Sequence, residues 1–461
     1  MSSSTKEIKI SRNPYLLFSP FLLLYILIVL FLHSDTLWGD ESRYLMYAQN
    51  LIHGFYSGSD SDLSNGPGYP IILTPFIALH LPLLVIKLLN PVFYYFSVVF
   101  LFKVLRRIVS FKMTLLFSLF WACYYNAYEN MPLLLTETFT IFLVSALMFC
   151  LTKAFNEKAS KKTNKYIFLS GFLFGYIALT KVIFGYVILF MLIGCVLLWL
   201  LNRGFVNYRK ALAVVLIAFI TTTPYLIYTY NLTGRVFYWS TISGNNLYWM
   251  SSPEKNEYGS WLADPKFGSD SISSFKENTS TYSGGGLNFK NRPLHIQGFR
   301  DSVRSNHRQD YEEINKYKGL VEQDDAFKRI AIKNIKSHPL KFMENCFSNI
   351  GRILFNYPYS YKVQGPETLL RLPFSGIVAL LMIFCFIPTL LNWRKIDFSI
   401  RFMILFAFIY LGGSVLGSAE TRMFTLILPI LLFWIAAILK RTIKIRLKFS
   451  NNIEQAENHS I

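Results

Sequence analysis

Acidic residues are scarce in this chain of 461 residues: 27 Asp and Glu stand against 46 Lys and Arg, and only 16% of residues are charged. So little charge cannot cover the surface of an ordinary soluble domain. Cysteine is also sparse. Cys123, Cys150, Cys195 and Cys385 lie in apolar runs, which leaves Cys346 alone in the polar part at 232–370. A disulfide within that part is excluded, and without a CxxC pair so is a metal site of that type. There is no glycine-rich phosphate loop of the nucleotide-binding kind, and no internal repeat.

What the chain has in abundance is apolar and aromatic side chains: 53% hydrophobic residues, with 42 Phe and 28 Tyr. A helix needs about 20 mostly apolar residues to cross a bilayer. Such runs predict ten spans, at 14–33, 82–104, 111–128, 132–152, 166–182, 183–201, 211–231, 371–391, 399–417 and 422–440. The expected fold class is an all-α polytopic integral membrane protein. Residues 166–201 form one long apolar stretch, in which Gly171, Gly175, Gly185 and Lys181 predict a turn near 181–184. The first run is too long for a cleaved signal and has no small-residue cleavage site before Trp38.

The net charge of +19 could suit a nucleic-acid partner, but its placement argues against one. Much of it sits in short loops between spans, where basic residues fix orientation. Put the N-terminus, with Lys6, Lys9 and Arg12, in the cytoplasm. The inner loops then carry Arg106 and Arg107, Lys158 to Lys165, Arg203 to Lys210, and Arg394 with Lys395, and the tail adds Lys440 to Lys448. The outer loops 129–131 and 418–421 hold Glu129 and Glu420 and nothing basic. Both termini are therefore expected inside, and the alternation requires the turn near 181.

This organisation gives an N-terminal membrane module at 1–231, with its first outer loop at 34–81. An outer segment follows at 232–370, then C-terminal spans at 371–440 and a basic-to-polar tail at 441–461. The outer segment holds a Ser-rich stretch at 269–283 and Gly284–Gly286, and its later part reads as helical. Phe327, Ile330, Ala331 and Ile335 share one face of a helix that Pro339 ends. Phe342, Cys346, Ile350 and Leu354 mark the face of another, placed to lie on the membrane surface.

Four polar groups converge on the outer side. The first is the stretch Gly39-Asp40-Glu41-Ser42-Arg43 after span one; Asp40 there could simply cap the helix that Tyr44, Tyr47, Ala48 and Leu51 suggest. The second is Glu137 in MPLLLTETFTIFL, five residues past Pro132, and hence about 7 Å into its span. An acid in the membrane costs roughly 2.5–3.5 kcal/mol at mid-depth, so it is functional or paired. The third is Lys181 and the fourth Arg422, each either snorkelling to the interface or holding an anion. Asn65-Gly66-Pro67-Gly68-Tyr69-Pro70 reads as a chain reversal, with the wall of a donor groove as the other reading. Arg43, Lys181 and Arg422 are cations that can hold a phosphate, and Asp40 can accept a proton.

At these residues the sequence resembles a known family. WGDESRYLMYAQNLIHGFY followed by NGPGYPIILTPFIAL is similar to the opening of the GT-C glycosyltransferases, in particular the branch of ArnT and the protein O-mannosyltransferases. LLTETFTIFL, ALTKVIFG and TRMFTLILPIL resemble that family's later motifs, in order and on the expected side. The resemblance covers most of 14–440. It implies a GT-C-like bundle in a bacterial cytoplasmic (inner) membrane, with an extracytoplasmic active site. The implied activity is transfer of a hexosyl or pentosyl group from a polyprenyl-phosphate donor to a lipid, glycan or protein acceptor, with inversion. Asp40 would be the base, with Glu41 as its alternate or its orienting partner. Arg43, Lys181 and Arg422 would bind the donor phosphate, and Glu137 would meet the acceptor, a metal ion or Lys181. The resemblance leaves a divalent metal open and implies no nucleotide cofactor. A transporter or lipid-linked-sugar flippase is the alternative; it would call for inverted repeats and charges at mid-membrane, and a noncatalytic scaffold is a third class.

Overall fold

The computed structural model describes residues 13–37, 40–58, 62–156, 160–201, 205–260, 299–360 and 367–442. Gly39 of the first-loop motif, the Ser-rich stretch 269–283, Gly284–Gly286 and the basic residues Lys6, Lys9, Arg12, Lys158, Arg203, Lys444, Arg446 and Lys448 lie outside the described residues. Among the described residues all regular structure is helical. The N-terminal half comprises α1 (Pro14–Leu17), α2 (Ser19–Leu32), α3 (Glu41–Ile52), α4 (Gly68–Ala78), α5 (Leu83–Lys87), α6 (Leu89–Leu105), α7 (Phe111–Ala122), α8 (Tyr125–Glu129), α9 (Thr136–Asn156), α10 (Lys161–Thr180), α11 (Ile183–Leu201) and α12 (Val206–Thr233). The polar segment contributes α13 (Ser243–Met250), α14 (Phe299–Ile314), α15 (Leu320–Ser337) and α16 (Pro339–Phe355), and the chain re-enters the bundle as α17 (Glu367–Leu391), α18 (Phe398–Leu416) and α19 (Thr421–Thr442).

Seven of these stretches are long and apolar enough to cross a membrane: α5 with α6, then α9, α11, α12, α17, α18 and α19. The protein is an all-α polytopic membrane protein. The other three predicted spans are also helical, but fall short for local reasons. Phe18 divides the first into α1 and α2, since Pro20 has no N–H to continue a helix. The third breaks at Cys123 and resumes as the short α8. The fifth, α10, opens on the polar stretch KKTNK.

Burial orders the bundle. The core windows of α9 and α19 are 83% buried, whereas that of α17 is only 22% buried. The first two helices form the centre, and α9 packs on α6, α10 and α19. Peripheral helices turn large apolar groups outward, such as Phe190 at 59% and Leu380 at 69% exposure. That is the surface a helix presents to lipid tails.

The predicted turn falls where expected, between Thr180 and Ile183. Two of the glycines that suggested it have another role. A Cβ on Gly171 would lie 2.7 Å from the Val214 carbonyl oxygen, and one on Gly175 would lie 2.6 Å from that of Ala218. They are small residues four apart that let α10 and α12 approach closely, as membrane helices do without a hydrophobic drive between them. Gly185 makes room for the Trp239 ring. In the polar segment, Phe327, Ile330 and Ala331 of α15 pack with Tyr248 and Tyr311 in a small core of their own. Ile335 is only half buried, and α15 ends at Ser337, ahead of Pro339.

Candidate functional site

The polar groups meet at one end of the bundle, and the approach to α9 is the key to their arrangement. Residues 131–135 are not helical. Asn90 Nδ2 donates to the carbonyls of Met131 (2.9 Å) and Leu133 (2.8 Å), and the Leu134 N–H donates to Glu41 Oε1 (2.7 Å). These outside partners, with the turn bonds from Met131 N–H to the Tyr128 carbonyl and from Leu133 N–H to the Asn130 carbonyl, satisfy the backbone of the stretch without a helix. The helix therefore starts at Thr136, not at 132, and Glu137 sits in its first turn instead of about 7 Å down the span. A carboxylate there is favoured by the helix dipole.

Glu137 is 3% exposed and serves two cations. Its Oε1 lies 2.8 Å from Lys181 Nζ and 3.4 Å from Arg422 Nη1. Its Oε2 is buried with no hydrogen-bond partner. Lys181 occupies the C-cap of α10, where the backbone turns extended. Arg422 stands in the first turn of α19, against that helix's dipole, and its Nε meets Glu420 Oε2 at 2.8 Å. Both cations keep an open side, at 16% and 21% exposure.

Asp40 is the N-cap residue of α3, yet its side chain makes no capping bond. The carboxylate, 32% exposed, instead meets Arg43 Nη1 at 3.1 Å. Arg43 also reaches Asn65 Oδ1 (3.3 Å) and Asp62 Oδ2 (3.8 Å). Burial works against its charge, but Asp40 and Asp62 outweigh that and hold the guanidinium above its usual range. Asn65 donates in turn to the Tyr44 hydroxyl at 2.9 Å. Burial first, then the fields of Asp40 and Glu137, push the Tyr44 phenol far up, so it stays neutral. Tyr44 lies in the field of both Asp40 and Glu137, and Arg422 lies within electrostatic range of Asp40.

Glu41 is placed very differently. It is fully buried, 3.4 Å from the equally buried Lys87 Nζ, which also donates to the Ser34 carbonyl at 2.7 Å. The sequence reading has Glu41 as a second base or an orienting partner; its surroundings give it no opening to a substrate. It ties α3 to α5 and to the turn that leads into α9.

The Asn65–Pro70 turn does more than reverse the chain. A Cβ on Gly66 would lie 2.1 Å from the Leu179 carbonyl oxygen, and the Tyr176 hydroxyl donates to the Gly68 carbonyl (2.8 Å). Backbone-to-backbone contact here presses the first loop against the end of α10 that carries Lys181.

Sequence reasoning missed Lys87 and Asp62, read Asn65 only within a turn or groove wall and Tyr44 only as a helix residue, and took Glu420 only as a charge marker. Lys87 did carry a signal, as a lysine inside a predicted span. Asp62 sits in a polar stretch without periodicity and carried none. Four carboxylates (Asp40, Asp62, Glu137, Glu420) thus face three cations (Arg43, Lys181, Arg422). Each of these acids has a cation beside it, and no group of three His, Cys, Asp or Glu is disposed to hold a metal among the described residues. Among the described residues the acids are taken up by cations and offer no metal-ligand group, and no step is derived through a metal.

No protein-family model and no curated protein matches the chain. Solved structures do. One is the oligosaccharyltransferase AglB of Archaeoglobus fulgidus, in complex with an inhibitory peptide and a dolichol-phosphate: 12% identity, 94% of this chain and 52% of that one, TM-score 0.47. Another is ArnT of Cupriavidus metallidurans bound to undecaprenyl phosphate: 12% identity, 95% and 77% of the two chains, TM-score 0.39. Both are glycosyltransferases of the GT-C fold, the group that the first-loop motif resembles. The chain spans about half the length of the archaeal enzyme. At these scores the likeness adds nothing to the chemistry, which is read from the side chains themselves.

Replacing Lys87 by Met should leave the buried Glu41 carboxylate without its cation, at a cost of about 3–5 kcal/mol. Chemical denaturation in detergent would read this as a lower midpoint. Lys87→Met with Glu41→Gln should recover much of the loss; no recovery would mean that the two do not act as a pair.

Proposed function

We propose that this protein is a membrane glycosyltransferase that moves a sugar from a polyprenyl-phosphate donor to an acceptor hydroxyl outside the cytoplasm. The observation that carries the reading is the state of Asp40. It is a partly open carboxylate, not used as a cap, oriented by Arg43 and set within the field of Arg422. Lys181 and Arg422, joined through Glu137, keep open sides.

In this reading Asp40 takes the proton of the acceptor hydroxyl as its oxygen bonds to the anomeric carbon. The bond from that carbon to the phosphate oxygen breaks on the opposite face, so the configuration inverts. A hydroxyl is a poor nucleophile until a placed carboxylate relieves it of its proton. The departing lipid phosphate gains charge, and Lys181 and Arg422 answer it in a poorly hydrated setting where such contacts are strong. Glu137 holds the two cations at one spot before the donor arrives. The sugar and the acceptor, whether lipid, glycan or protein, are left open by the residues present.

Sidedness is supported by contacts at the far end of the bundle. Lys210 Nζ reaches the Ala154 carbonyl (2.7 Å), Phe155 packs on Phe398, and Arg441 reaches the Lys395 carbonyl (2.5 Å). The basic residues Lys210, Lys395 and Arg441 thus gather at the end of the bundle opposite the site. By the bias of basic loops toward the cytoplasm, the site faces out. A cysteine placed at Ser160 should resist a membrane-impermeant reagent in intact cells, and its labelling would reverse the orientation.

Transfer of labelled sugar from a polyprenyl phosphate by the purified protein tests the chemistry. Asp40→Asn keeps shape but cannot take a proton, so the rate should fall about 10²–10⁴-fold while folding and donor binding persist. Glu41→Gln should chiefly lower the yield of folded protein. Near-normal transfer by Asp40→Asn overturns the assignment, and movement of the lipid between leaflets without transfer would favour a flippase.

A further inference from the structure

Helix α16 is polar where it is buried and apolar where it is exposed. Asn345, Asn349 and Arg352 are almost fully buried. On the opposite side Leu340 is 84% exposed, Met343 53%, Phe347 67% and Ile350 39%, with Leu354 partly exposed. These steps of three and four residues draw one straight stripe along the helix. The face expected from sequence, at Phe342, Cys346, Ile350 and Leu354, is turned toward Leu340 and Phe347, while Phe342 and Cys346 sit half buried at its margin.

The buried polar side explains the rotation. Asn345 Nδ2 donates to the Met250 and Ser252 carbonyls, both at 3.0 Å. Asn349 Nδ2 donates to Ser414 and Val415 (3.0 Å each) and to Gly417 (2.5 Å), the last carbonyls of α18. Arg352 reaches the Gly259 carbonyl at 3.0 Å and that of Pro358 at 3.1 Å. Orphan carbonyls at a helix end need donors, and α16 supplies them. Meeting that need fixes which way its apolar stripe points: away from the protein.

The same contacts set its level. By gripping the end of α18, α16 lies across the mouth of a membrane-spanning helix, at the end of the bundle that holds the site. It packs against α17, whose first turns expose Leu369 (71%), Leu370 (46%) and Leu372 (47%). The stripe therefore runs on into an apolar surface that faces lipid. Tyr357, 56% exposed, follows the helix, and the Lys341–Glu344 ion pair (3.2 Å) lies along the edge of the stripe. Aromatic residues and paired charges suit the boundary between headgroups and acyl chains.

We propose that α16 lies in the plane of the membrane, with Leu340, Met343, Phe347, Ile350 and Leu354 sunk into the headgroup–acyl boundary of the leaflet at the site end. Lipid is the occupant because the stripe is continuous with the lipid-facing side of α17; a protein covering it would have to sit partly inside the bilayer. The placement has a structural consequence. Asn349 Oδ1 accepts from the Ala419 N–H (3.2 Å), and the Arg352 carbonyl accepts from the Thr421 hydroxyl (3.0 Å). The membrane-borne helix thereby braces the turn that carries Glu420 and Arg422.

The full chain, freed of its five native cysteines, would be given one cysteine at a time by Phe347→Cys, Leu340→Cys or Arg308→Cys. Arg308 is 78% exposed and serves as the aqueous reference. Each variant would carry an environment-sensitive fluorophore in vesicles of phosphatidylethanolamine and phosphatidylglycerol, with and without brominated acyl chains. The probes at 347 and 340 should emit to the blue of the probe at 308 and be quenched by the brominated lipid, with 308 unaffected. Quenching at 347 and 340 no greater than at 308 overturns the proposal. So does a blue shift without quenching, which would mean that protein, or a second copy of the chain, covers the stripe.

Discussion

One buried carboxylate organises the functional end of this protein. Glu137 is shared by Lys181 from the end of α10 and Arg422 from the start of α19. Three separate helices are joined through a single oxygen atom. A buried charge deprived of its partner costs several kcal/mol, so these helix ends cannot drift apart independently. The position of α9 depends in turn on Glu41 and Asn90, which bind the backbone of the non-helical turn before it. Because Glu41 is anchored by Lys87, its neighbour Asp40 is delivered to the same place from a fourth direction.

Such a site is built from pairs that oppose one another. The cations are near enough to repel, and Glu137 and Glu420 offset that repulsion. The arrangement keeps positive groups partly open beside a membrane, where uncompensated charge would be expensive. In the proposed reading, an incoming phosphate takes over part of the role of Glu137. Preorganised charge of this kind is what electrostatic catalysis requires.

The large features of the fold were legible in the amino-acid pattern. Apolar runs located every helix long and apolar enough to span, and Lys181 marked the break in the longest run, while the short apolar α4 was read as part of an outer loop. What failed was detail decided by distant partners. Glu137 was placed too deep because nothing local reveals that Asn90 and Glu41 satisfy the backbone of 131–135. Asp40 and Glu41 could not be told apart in sequence, since a helical turn of about 100° per residue separates open from buried, and only Lys87 determines which is which. The face of α16 was misjudged for a related reason. Its asparagines and Arg352 are drawn inward by the carbonyls at the end of α18 and in the neighbouring loops, a demand that no periodicity within α16 can announce.

The central claim is that Lys181 and Arg422 are a phosphate site held in readiness by Glu137. Thermal unfolding of Glu137→Gln, with and without a polyprenyl phosphate, tests it most directly. A ligand that binds only the folded state raises stability by mass action in proportion to its affinity. The variant should melt below the parent when free of ligand, because two close cations lose their shared counter-charge. It should then gain more than the parent from the lipid phosphate, which would supply the missing negative charge. A gain equal to or smaller than the parent's would contradict the account, and would mean that the phosphate is held elsewhere.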